Sequence, residues 1–266
     1  MREPIYGRLG IRRSRLMTPI FYNDPSFNYQ KYWRQRFYED EAEKMALRRI
    51  FRLIHQKRSI LDIGGGFGRL VPEYVARFQK CVLIDPSAKL LDQAKALCRQ
   101  YHNLEIKKGW VERLPFENQS IEVVLLIRAL HHLAEPERAV GEVYRILQPG
   151  GYLILEFANE FHVKNRLRAL LRLDFNFFTR HTPEDLAHRK GTPPFFNYHP
   201  NQIKTLLLAG GFEIMKTFSV SNFRNPLVKK IIPDKILLFG EKWLQAPLAS
   251  VNFGPSIFVL ARKPEK

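Results

Sequence analysis

Three things are scarce in this sequence: cysteine, acidic residues and long apolar runs. The two cysteines in 266 residues, Cys81 and Cys98, are too few for a disulfide framework and are not spaced like metal or redox ligands. No apolar run reaches the roughly 18 residues of a membrane-spanning helix. The first residues, M-R-E-P-I-Y-G-R, lack the apolar core of a secretory signal. We therefore expect a globular protein in a reducing cytoplasm, with both cysteines used for packing.

The shortage of acidic residues is uneven along the chain. Acidic residues number 26 against 43 lysines and arginines, which gives a formal net charge of +17. Residues 59–157 hold 12 of each kind, whereas residues 1–58 hold 14 basic and 6 acidic residues, and residues 158–266 hold 17 and 8. Because a basic surface attracts phosphate, the two flanks are the expected contacts for nucleic acid or anionic lipid. A generally basic protein without such a partner is the plainer alternative.

What the sequence does contain is a glycine-rich turn between an apolar strand and a helix. Residues 59–70 read S-I-L-D-I-G-G-G-F-G-R-L, and apolar residues continue at helical spacing up to Phe78. The pattern predicts a strand at 59–63 and a helix over 67–79. Glycines let the backbone approach a ligand closely, and a helix start presents free N–H groups. The turn is therefore a candidate binding site for a nucleotide-type ligand, with an ordinary tight loop as the alternative.

An alternating series of strands and helices follows this turn. Apolar runs and helical periodicity predict strands at 80–85, 104–108, 121–127 and 151–157, helices at 88–100 and 135–147, and a sharp turn at Pro149-Gly150-Gly151. A further helix and two strands are predicted at 202–209, 212–220 and 256–262. Such alternation implies an α/β fold, a doubly wound and mostly parallel sheet with helices on both faces.

These segments resemble the motifs of class I S-adenosylmethionine (SAM)-dependent methyltransferases. The turn reads D-x-G-x-G-x-G, with Asp62 two residues before Gly64, unlike the G-x-G-x-x-G of dinucleotide-binding proteins. The likeness is dense over residues 59–157 and extends through I-D-P-S at 84–87, L-P-F at 114–116, R-A-L-H-H-L at 128–133 and Q-P-G-G-Y at 148–152. It implies a seven-stranded, Rossmann-like methyltransferase fold whose last strand inserts antiparallel beside its predecessor.

The resemblance implies SAM as cofactor and a set of residues to hold it. Asp62 is expected to organise the turn and face the methionine part, which lies against the glycines. Asp85, at the end of the second strand, is expected to hold the ribose hydroxyls. No metal site is expected. The complete expected cofactor set is Asp62, Gly64, Gly65, Gly66, Gly68, Asp85, Pro86, Trp110, Val111 and Arg128.

One position departs from the family pattern. Where many members have G-D-A, this chain has Gly109-Trp110-Val111. The usual aspartate accepts a hydrogen bond from the adenine amine, whereas an indole N–H can only donate. Trp110 is instead expected to lie against the purine ring, with the Val111 N–H bound to the ring.

The basic flanks contain the segments outside the common core. Residues 1–58 are expected to form an irregular arm and then a helical lid over the cofactor, with simple helix packing as the alternative. The methyltransferase domain, 59–266, carries an insertion at 158–200 with a basic amphipathic stretch at 162–173, and a second lid-like segment at 225–246. Both segments are expected either to cover an acceptor pocket or to dip into an anionic membrane surface.

Candidate catalytic residues are few. His131 and His132 follow the fourth strand at the carboxyl edge of the sheet, where a base for a hydroxyl acceptor is needed, and a framework role is the alternative. His181, Tyr198 and His199 lie on the insertion or its exit and fit surface or packing roles better. A [DN]-P-P-[YFW] motif is absent after the fourth strand, which argues against amino-methylation of bases or glutamine. Neither cysteine lies near this edge, which argues against a cysteine nucleophile.

These observations favour a SAM-dependent methyltransferase that acts on a hydrophobic small molecule or lipid-like acceptor, at oxygen, carbon or nitrogen. Peripheral contact with an anionic membrane fits the basic, apolar stretches. The second hypothesis is an RNA methyltransferase that grips transfer or ribosomal RNA with its flanks. The third is a non-catalytic SAM-binding partner protein. The sequence leaves the acceptor, the methylated atom and the oligomeric state open.

Overall fold

The computed structural model of the chain describes residues 22–24, 28–133, 135–179, 184–185 and 195–265. Within these ranges the strands are β1 (Ser59–Ile63), β2 (Lys80–Asp85), β3 (Leu104–Lys108), β4 (Ile121–Leu126), β5 (Leu147–Ala158), β6 (Glu184–Asp185), β7 (Phe196–Asn197), β8 (Glu213–Val220) and β9 (Ser256–Arg262). The helices are α1 (Tyr29–Arg34), α2 (Phe37–Phe51), α3 (Val71–Tyr74), α4 (Ala88–Cys98), α5 (Pro136–Ile146), α6 (Val163–Leu171), α7 (Asn176–Thr179), α8 (Pro200–Ala209), α9 (Pro226–Ile231) and α10 (Asp234–Ala249), with a 3₁₀ turn at Leu130–His132.

Seven of these strands form one sheet in the order β3-β2-β1-β4-β5-β9-β8, and β6 pairs with β7. Strands β1 to β5 are mutually parallel, and β9 runs antiparallel to both of its neighbours. The predicted doubly wound, mostly parallel seven-stranded sheet is confirmed. Its strand order reverses at β1 and β4, and ligands of such sheets bind in the crevice outside the carboxyl ends at this point.

Helices cover both faces of the sheet because its strands are apolar on both sides. On β1, Ile60 packs into one core cluster and Leu61 into the other, as expected when successive side chains of a strand point to opposite faces. The first cluster joins the sheet to α2, α4 and α10, and the second joins it to α5 and α8. Strand β4 is buried at every position, which is typical of a central parallel strand.

The helix predicted over 67–79 is wrong in length. Only the single turn α3 is helical, and Pro72 lies at its start. A proline ring clashes with the carbonyl four residues earlier, so a helix cannot extend through Pro72 toward Gly68. Beyond α3 the Arg77 N–H bonds the Tyr74 carbonyl at 2.8 Å, a three-residue turn that ends the helix.

Two other boundaries differ from the sequence expectation. The helical stretch from residue 29 onward is split between α1 and α2, and the split lets Trp33 pack beside Phe67 while α2 packs on the sheet. The predicted turn at Pro149-Gly150-Gly151 lies inside β5 as an irregularity in its pairing with β4. A Cβ on Gly151 would stand 2.8 Å from the Glu122 carbonyl oxygen, so the close approach of the two strands requires glycine there.

Candidate active site

The glycine turn between β1 and α3 folds its backbone back over the end of β2. Gly64, Gly66 and Gly68 adopt positive φ angles of 74°, 56° and 82°. The Gly64 N–H bonds the Ile84 carbonyl at 2.8 Å, which ties the turn to β2. A Cβ on Gly66 would meet only Leu90 and Tyr29, both at 3.7 Å. The Gly66 backbone has the left-handed conformation that favours glycine. Its surroundings leave space for a small ligand group to approach it.

Two further glycines of the turn serve packing. A Cβ on Gly65 would stand 2.6 Å from Leu83 Cγ, and one on Gly68 would stand 2.9 Å from Cys98 Sγ on α4. Glycine at these two positions lets the turn lie flat on β2 and α4. Of the predicted glycines, Gly66 is thus open to its surroundings, whereas Gly65 and Gly68 pack closely against the core.

Asp85 ends β2 directly beside this turn. Its Oδ2 accepts the Gly66 N–H at 3.0 Å and its Oδ1 accepts the Ser87 N–H at 2.8 Å, with Pro86 between them. Burial raises the pKa of Asp85 to about 6, and the two N–H donors oppose that rise. Each carboxylate oxygen keeps a lone pair, since a carboxylate accepts about four hydrogen bonds. The geometry therefore fits a ligand that offers hydroxyl donors.

Asp62 lies underneath the turn. Its Oδ2 accepts the Tyr74 hydroxyl at 3.2 Å and would stand 2.8 Å from a Cβ on Gly65. Burial raises the pKa of Asp62 to about 7, although Tyr74 and the nearby Arg69 favour the ionised form. A buried carboxylate with this pKa gains from a cationic neighbour, so the position suits the amino group of a ligand such as the methionine part of SAM.

Aromatic side chains of the N-terminal segment cover the turn. The Tyr29 ring stands edge-on to Phe67 with centroids 5.7 Å apart, and Tyr22 stands edge-on to Tyr29 at 5.2 Å. The Asn23 Oδ1 accepts the Ser87 hydroxyl at 2.7 Å, next to Asp85. This segment therefore lies over the region where the sequence predicts the cofactor.

An ion cluster joins the N-terminal helices to the edge of the sheet. Glu43 of α2 is completely buried between two guanidinium groups, with Arg128 Nε at 2.8 Å and Arg69 Nη2 at 2.6 Å. The two arginines hold the pKa of Glu43 below its usual value despite its burial. Arg128 has a positive φ of 58°, and its N–H bonds the buried Glu156 at 3.0 Å. The Arg128 side chain is thus bound to Glu43 within the protein.

Trp110 and Val111 lie at the end of the crevice beyond β3. Trp110 is 45% exposed beside a surface groove of about 600 Å³ that also includes Lys108, Arg113 and Phe116. The Lys108 Nζ stands 5.7 Å from the Trp110 ring centroid. Val111 is buried in the core. An accessible indole at this edge is compatible with the predicted stacking on a purine.

The two candidate catalytic histidines lie in the 3₁₀ turn after β4. His131 is buried, its ring centroid is 4.3 Å from that of Phe195, and its Nδ1 has no hydrogen-bond partner among the described residues. Burial, with the neighbouring His132 and Arg128, lowers the pKa of His131 far below its usual value, so its ring is neutral. The His132 Nε2 is 3.0 Å from the Tyr22 hydroxyl.

The other residues of the insertion have structural positions, as expected. Tyr198 is buried, and its hydroxyl lies 3.4 Å from the Leu130 carbonyl. The His199 Nδ1 caps α8 by accepting the Asn201 N–H at 3.2 Å, and Gln202 completes the reciprocal cap. His181 and most of the predicted N-terminal arm lie outside the described residues.

A large cavity opens at the carboxyl edge between α6 and α9. It has a volume of about 1110 Å³. Its apolar lining includes Val163, Leu167, Leu171, Phe195, Phe223, Val228 and Phe253. Its charged and titratable lining consists of Arg128, Glu156, His162, Lys164, Arg168, Arg172 and Arg224. The space suits an amphipathic molecule rather than a purely polar one.

The sequence analysis did not identify three of these lining residues: the titratable Glu156 and His162, and the cation Arg224. Glu156 is buried at the end of β5, its Oε1 accepts the Ser256 hydroxyl at 2.6 Å, and burial raises its pKa. His162 precedes α6, and Arg224 follows β8. The only sequence signal was the basic stretch at 162–173, because the positions of Glu156 and Arg224 depend on the pairing of β5 and β8 with β9.

Two further observations concern the described part of the chain alone. No helix in it has the length and apolar character needed to cross a membrane. It also contains no group of three or more histidine, cysteine, aspartate or glutamate side chains placed to hold a metal ion.

Comparison with known proteins locates the similarity in the central part of the chain. Residues 61–155 match a family model described as a methyltransferase domain. An uncharacterized methyltransferase of Mycobacterium tuberculosis is 38% identical over 96 residues, 36% of this chain and 38% of that protein. The ubiquinone/menaquinone biosynthesis C-methyltransferase UbiE of Escherichia coli is 25% identical over 190 residues, 63% of this chain and 71% of that protein. The match thus spans only 38% of the length of the mycobacterial relative.

Solved structures share the fold over most of the chain. A SAM-dependent methyltransferase of Mesorhizobium loti aligns with a TM-score of 0.56 at 17% identity, over 84% of this chain and 98% of that one. A chain of the Haloferax volcanii complex between the Trm112 methyltransferase activator and a methyltransferase gives 0.59 at 14%, over 89% and 93%. The [4+2]-cyclase SpnF gives 0.58 at 17%, over 85% and 82%. Because one of these proteins is a cyclase, the shared fold by itself does not fix the reaction.

Proposed function

We propose that this chain, which carries a class I SAM-dependent methyltransferase domain, transfers the methyl group of SAM to a hydrophobic small-molecule or lipid-like acceptor. The observation that carries the proposal is the cavity between α6 and α9, which is largely apolar and opens at the carboxyl edge of the sheet beside Arg128 and Glu156. The sulfonium of SAM supplies the electrophilic methyl group. What the protein contributes to such a displacement is alignment and exclusion of water.

The residues of the glycine turn and its neighbours fit this cofactor. Asp85 accepts the ribose hydroxyls, and Asp62 faces the amino group of the methionine part, which lies against Gly64 and Gly66. Gly65 and Gly68 keep the turn flat. Pro86, Trp110 and Val111 border the adenine. Arg128 acts through its pairing with Glu43, which ties α2 to the end of β4.

We assign the N-terminal segment to a lid over this cofactor. Tyr29 stands over Gly66, and Asn23 bonds Ser87 beside Asp85. The same contacts exclude water from the sulfonium when the cofactor is bound beneath them. The lid must open for the cofactor to exchange, since its side chains lie over the turn.

Deprotonation of the acceptor, where the reaction needs it, falls to groups that line the cavity. Glu156 and His162 are the titratable lining groups apart from the arginines and lysine. His131 and His132 are separated from the cavity by Phe195, which both rings contact. We therefore propose that this histidine pair positions the cavity wall instead of acting as the base.

The lipid-like character of the acceptor has two supports. The Escherichia coli relative is named for ubiquinone and menaquinone biosynthesis, and both quinones are lipid-like. Helix α10 also has an inverted arrangement, with Glu241 and Gln245 buried against the protein while Ile236, Phe239 and Trp243 are exposed.

We propose that α10 and the neighbouring α9 lie on an anionic membrane on the cytoplasmic side. The exposed face of α10 has the spacing of one helical stripe, and Ile231 at the end of α9 is 81% exposed. Exposed lysines accompany these apolar residues at positions 230, 235 and 242. Apolar side chains bordered by lysine are the arrangement of interfacial helices. The cavity, which α9 also lines, then opens near lipid-dissolved acceptors.

Two alternatives are each favoured by one observation. The Haloferax volcanii neighbour is in complex with the Trm112 methyltransferase activator, which keeps an acceptor other than a small molecule, such as RNA, under consideration. The SpnF neighbour is a cyclase, which keeps a non-methylating role under consideration. Both alternatives use the same cofactor region. They differ from our proposal in which molecule receives the methyl group, or in whether any molecule does.

The first test is calorimetry with S-adenosylhomocysteine. Asp85→Ala is expected to weaken binding about tenfold or more, because the variant loses charged acceptors for the ribose. Asp92→Ala is the matched control, since Asp92 is exposed on α4 and pairs with Lys95 at the surface. Equal affinity in both variants would remove the ribose assignment, and no binding to the parent protein would overturn the proposal.

The second test follows the methyl group. The protein is incubated with methyl-labelled SAM and either a total lipid extract or bulk transfer RNA. Label in the lipid fraction supports the proposed acceptor class. Label in the RNA fraction alone overturns it in favour of the RNA hypothesis, and S-adenosylhomocysteine binding without transfer to either fraction favours the non-catalytic role.

A further inference from the structure

Helix α6 presents two parallel stripes of opposite character to the cavity. Val163, Leu167 and Leu171 form one stripe at four-residue spacing. Lys164, Arg168 and Arg172 form the second at the same spacing, displaced by one residue. Residues four apart lie above one another on a helix, so each stripe is continuous along the cavity wall. The wall therefore offers an apolar surface and, beside it, a column of cations.

Lys164, Arg168 and Arg172 make no ion pair among the residues that the structure describes. The segment 161–173 contains no acidic residue. Like charges four residues apart destabilise a helix, so this arrangement lowers the stability of α6.

The opposite wall adds a fourth cation, the Arg224 guanidinium, and no unpaired acid among the described lining residues. Arg224 Nε stands 3.9 Å from the carboxylate of Glu39, which Lys229 already binds at 3.0 Å. Among the described lining residues the acidic one is Glu156, and its oxygens accept hydrogen bonds from Ser256 and from the Arg128 N–H. Arg128 itself is neutralised by Glu43. Four cations on two walls thus face the cavity: among the described residues the three of the column have no carboxylate partner, and Arg224 shares Glu39 with Lys229.

The pKa of His162, which directly precedes α6, reflects the same group of cations. His162 lines the cavity, and its pKa is lowered to about 4. Burial is the largest cause, followed by repulsion from Lys164, Arg224, Arg168 and Arg166. Cations from α6 and from the β8–α9 turn therefore act together on one point of the cavity.

We propose that the cavity binds the anionic group, a phosphate or carboxylate, of an amphipathic acceptor between the Lys164–Arg168–Arg172 column and Arg224, while the apolar stripe of α6 holds the acceptor's hydrocarbon part. This inference rests on the proposed function and narrows its acceptor class to acidic amphiphiles. Guanidinium groups bind such anions through paired, charge-assisted hydrogen bonds. The anion comes either from a lipid headgroup or from a free acidic metabolite, and the probes below separate these sources.

The test uses soluble probes and does not depend on turnover. Dihexanoylphosphatidic acid, dihexanoylglycerol and inorganic phosphate are each titrated into the full chain by calorimetry. The first two probes differ only in the phosphate. S-adenosylhomocysteine is titrated in parallel, so that every variant is checked for an intact cofactor region.

Three variants locate the effect. Arg168→Gln with Arg172→Gln removes two charges from the column, and Arg224→Gln removes one from the opposite wall. Lys204→Gln with Lys216→Gln removes two exposed charges on α8 and β8, away from the cavity. We expect the double arginine variant to bind dihexanoylphosphatidic acid about tenfold more weakly than the parent, Arg224→Gln several-fold more weakly, and the lysine control equally well.

The outcomes distinguish the inference from the function on which it rests. Tighter binding of the phosphatidic acid than of dihexanoylglycerol, lost in the arginine variants alone, supports the inference and points to a headgroup. The same loss with inorganic phosphate as the better ligand points to a free anion as the source and overturns the role of the apolar stripe. Equal binding of both lipids, or equal losses in the lysine control, overturns it even where S-adenosylhomocysteine binds normally. Anion binding without S-adenosylhomocysteine binding would leave the anion site and overturn the methyltransferase proposal.

Discussion

The cofactor half of the chain, residues 59–157, and the segment after β5 use charge in opposite ways. In the cofactor half the basic and acidic residues are equal in number, and arginines such as Arg145 bind neighbouring carboxylates and carbonyls at 2.8 to 3.1 Å. After β5, Lys164, Arg168 and Arg172 make no ion pair among the residues that the structure describes, and apolar side chains lie beside them in solvent, with Leu171 86% exposed. Charges of the first region are paired within the protein. The second leaves both charge and apolar surface available to other molecules.

Glu43 is the point where the two arrangements meet. It comes from the basic N-terminal flank, yet it neutralises Arg69 and Arg128 of the cofactor half. The Arg69 guanidinium also stands 3.6 Å from the Trp33 ring centroid on α1. The N-terminal helices α1 and α2 are therefore attached to the sheet by a buried ionic contact, and removing that contact is the most sensitive test of the comparison.

The largest expected effect is the loss of that contact. Glu43→Ala leaves the buried Arg128 guanidinium without its carboxylate partner and leaves Arg69 paired with Asp40 alone, and we expect it to lower the free energy of unfolding by about 3 to 5 kcal/mol. Urea denaturation measures this change. Glu41→Ala is the control, because Glu41 binds Lys44 and Arg48 at the partly exposed surface of the same helix and should cost about 1 kcal/mol or less. A similar small loss in both variants would mean that the flank is not held by buried charge.

The next effect concerns the buried carboxylate under the turn. The pKa of Asp62 is about 7 in the folded protein, above its unfolded value of about 4. A raised pKa means that the folded state holds the proton more tightly, so the stability of the parent protein falls as pH rises from about 4 to about 7. Asp62→Asn removes this fall. We expect the variant to gain about 4 kcal/mol relative to the parent across that window, at about 1.4 kcal/mol per unit of pKa shift.

Denaturation curves at pH 4.5, 6 and 8 measure the Asp62 effect. Asp92→Asn, an exposed aspartate on α4, is the control and should follow the parent at each pH. S-adenosylhomocysteine binding by Asp62→Asn should weaken at pH 8 because the cationic amino group loses its counter-ion. A constant difference between variant and parent at all three pH values would contradict the assignment.

The fold was largely predictable because each strand of the sheet is a short apolar run. The strand after the glycine turn and the antiparallel last strand were both predicted in place. The length of α3 was not, although Pro72 is visible in the sequence, because the apolar periodicity through Phe78 was given more weight than the proline. Local periodicity reports which residues are apolar and not where a chain must turn.

The residues of the glycine turn could be located from the sequence, and those that line the cavity between α6 and α9 could not. Asp62, Asp85 and the glycines lie within 24 residues of chain and follow a motif. Arg224 and His162 meet through the pairing of β5, β9 and β8, which no local pattern encodes. The Glu43 cluster was also missed, because a glutamate within a helix gives no sequence signal that it is buried.

A smaller effect is expected at the exposed edge of the cofactor half. If Trp110 stacks on the purine, Trp110→Ala should weaken S-adenosylhomocysteine binding by about 1 kcal/mol. In a background in which Trp33 and Trp243 are replaced by phenylalanine, the Trp110 fluorescence should fall when the ligand is added. Tighter binding by Trp110→Asp would show that Trp110 stands where an aspartate acceptor binds the ligand better, and would contradict stacking of the indole on the purine.

The smallest effect on stability belongs to the exposed face of α10. Phe239→Ser with Trp243→Ser should change the free energy of unfolding by no more than about 0.5 kcal/mol, since both side chains are in solvent. The same variant should lose most of its sedimentation with anionic vesicles. Leu97→Ser is the control, because Leu97 is an exposed leucine of the charge-balanced half. Unchanged sedimentation of the double variant, or an equal loss in the control, would remove the membrane proposal.

The two buried thiols provide an internal reporter of when the cofactor region opens. Cys98 lies against Gly68, and Cys81 lies on β2, the strand that ends in Asp85. Burial raises the pKa of Cys81 to about 12 and raises that of Cys98 as well, so neither thiol reacts while the structure is closed. The rate at which a thiol reagent modifies them therefore equals the fraction of molecules that are locally open multiplied by the reaction rate of the exposed thiol. A ligand held by this region slows that modification in proportion to its occupancy, which makes binding measurable without a label.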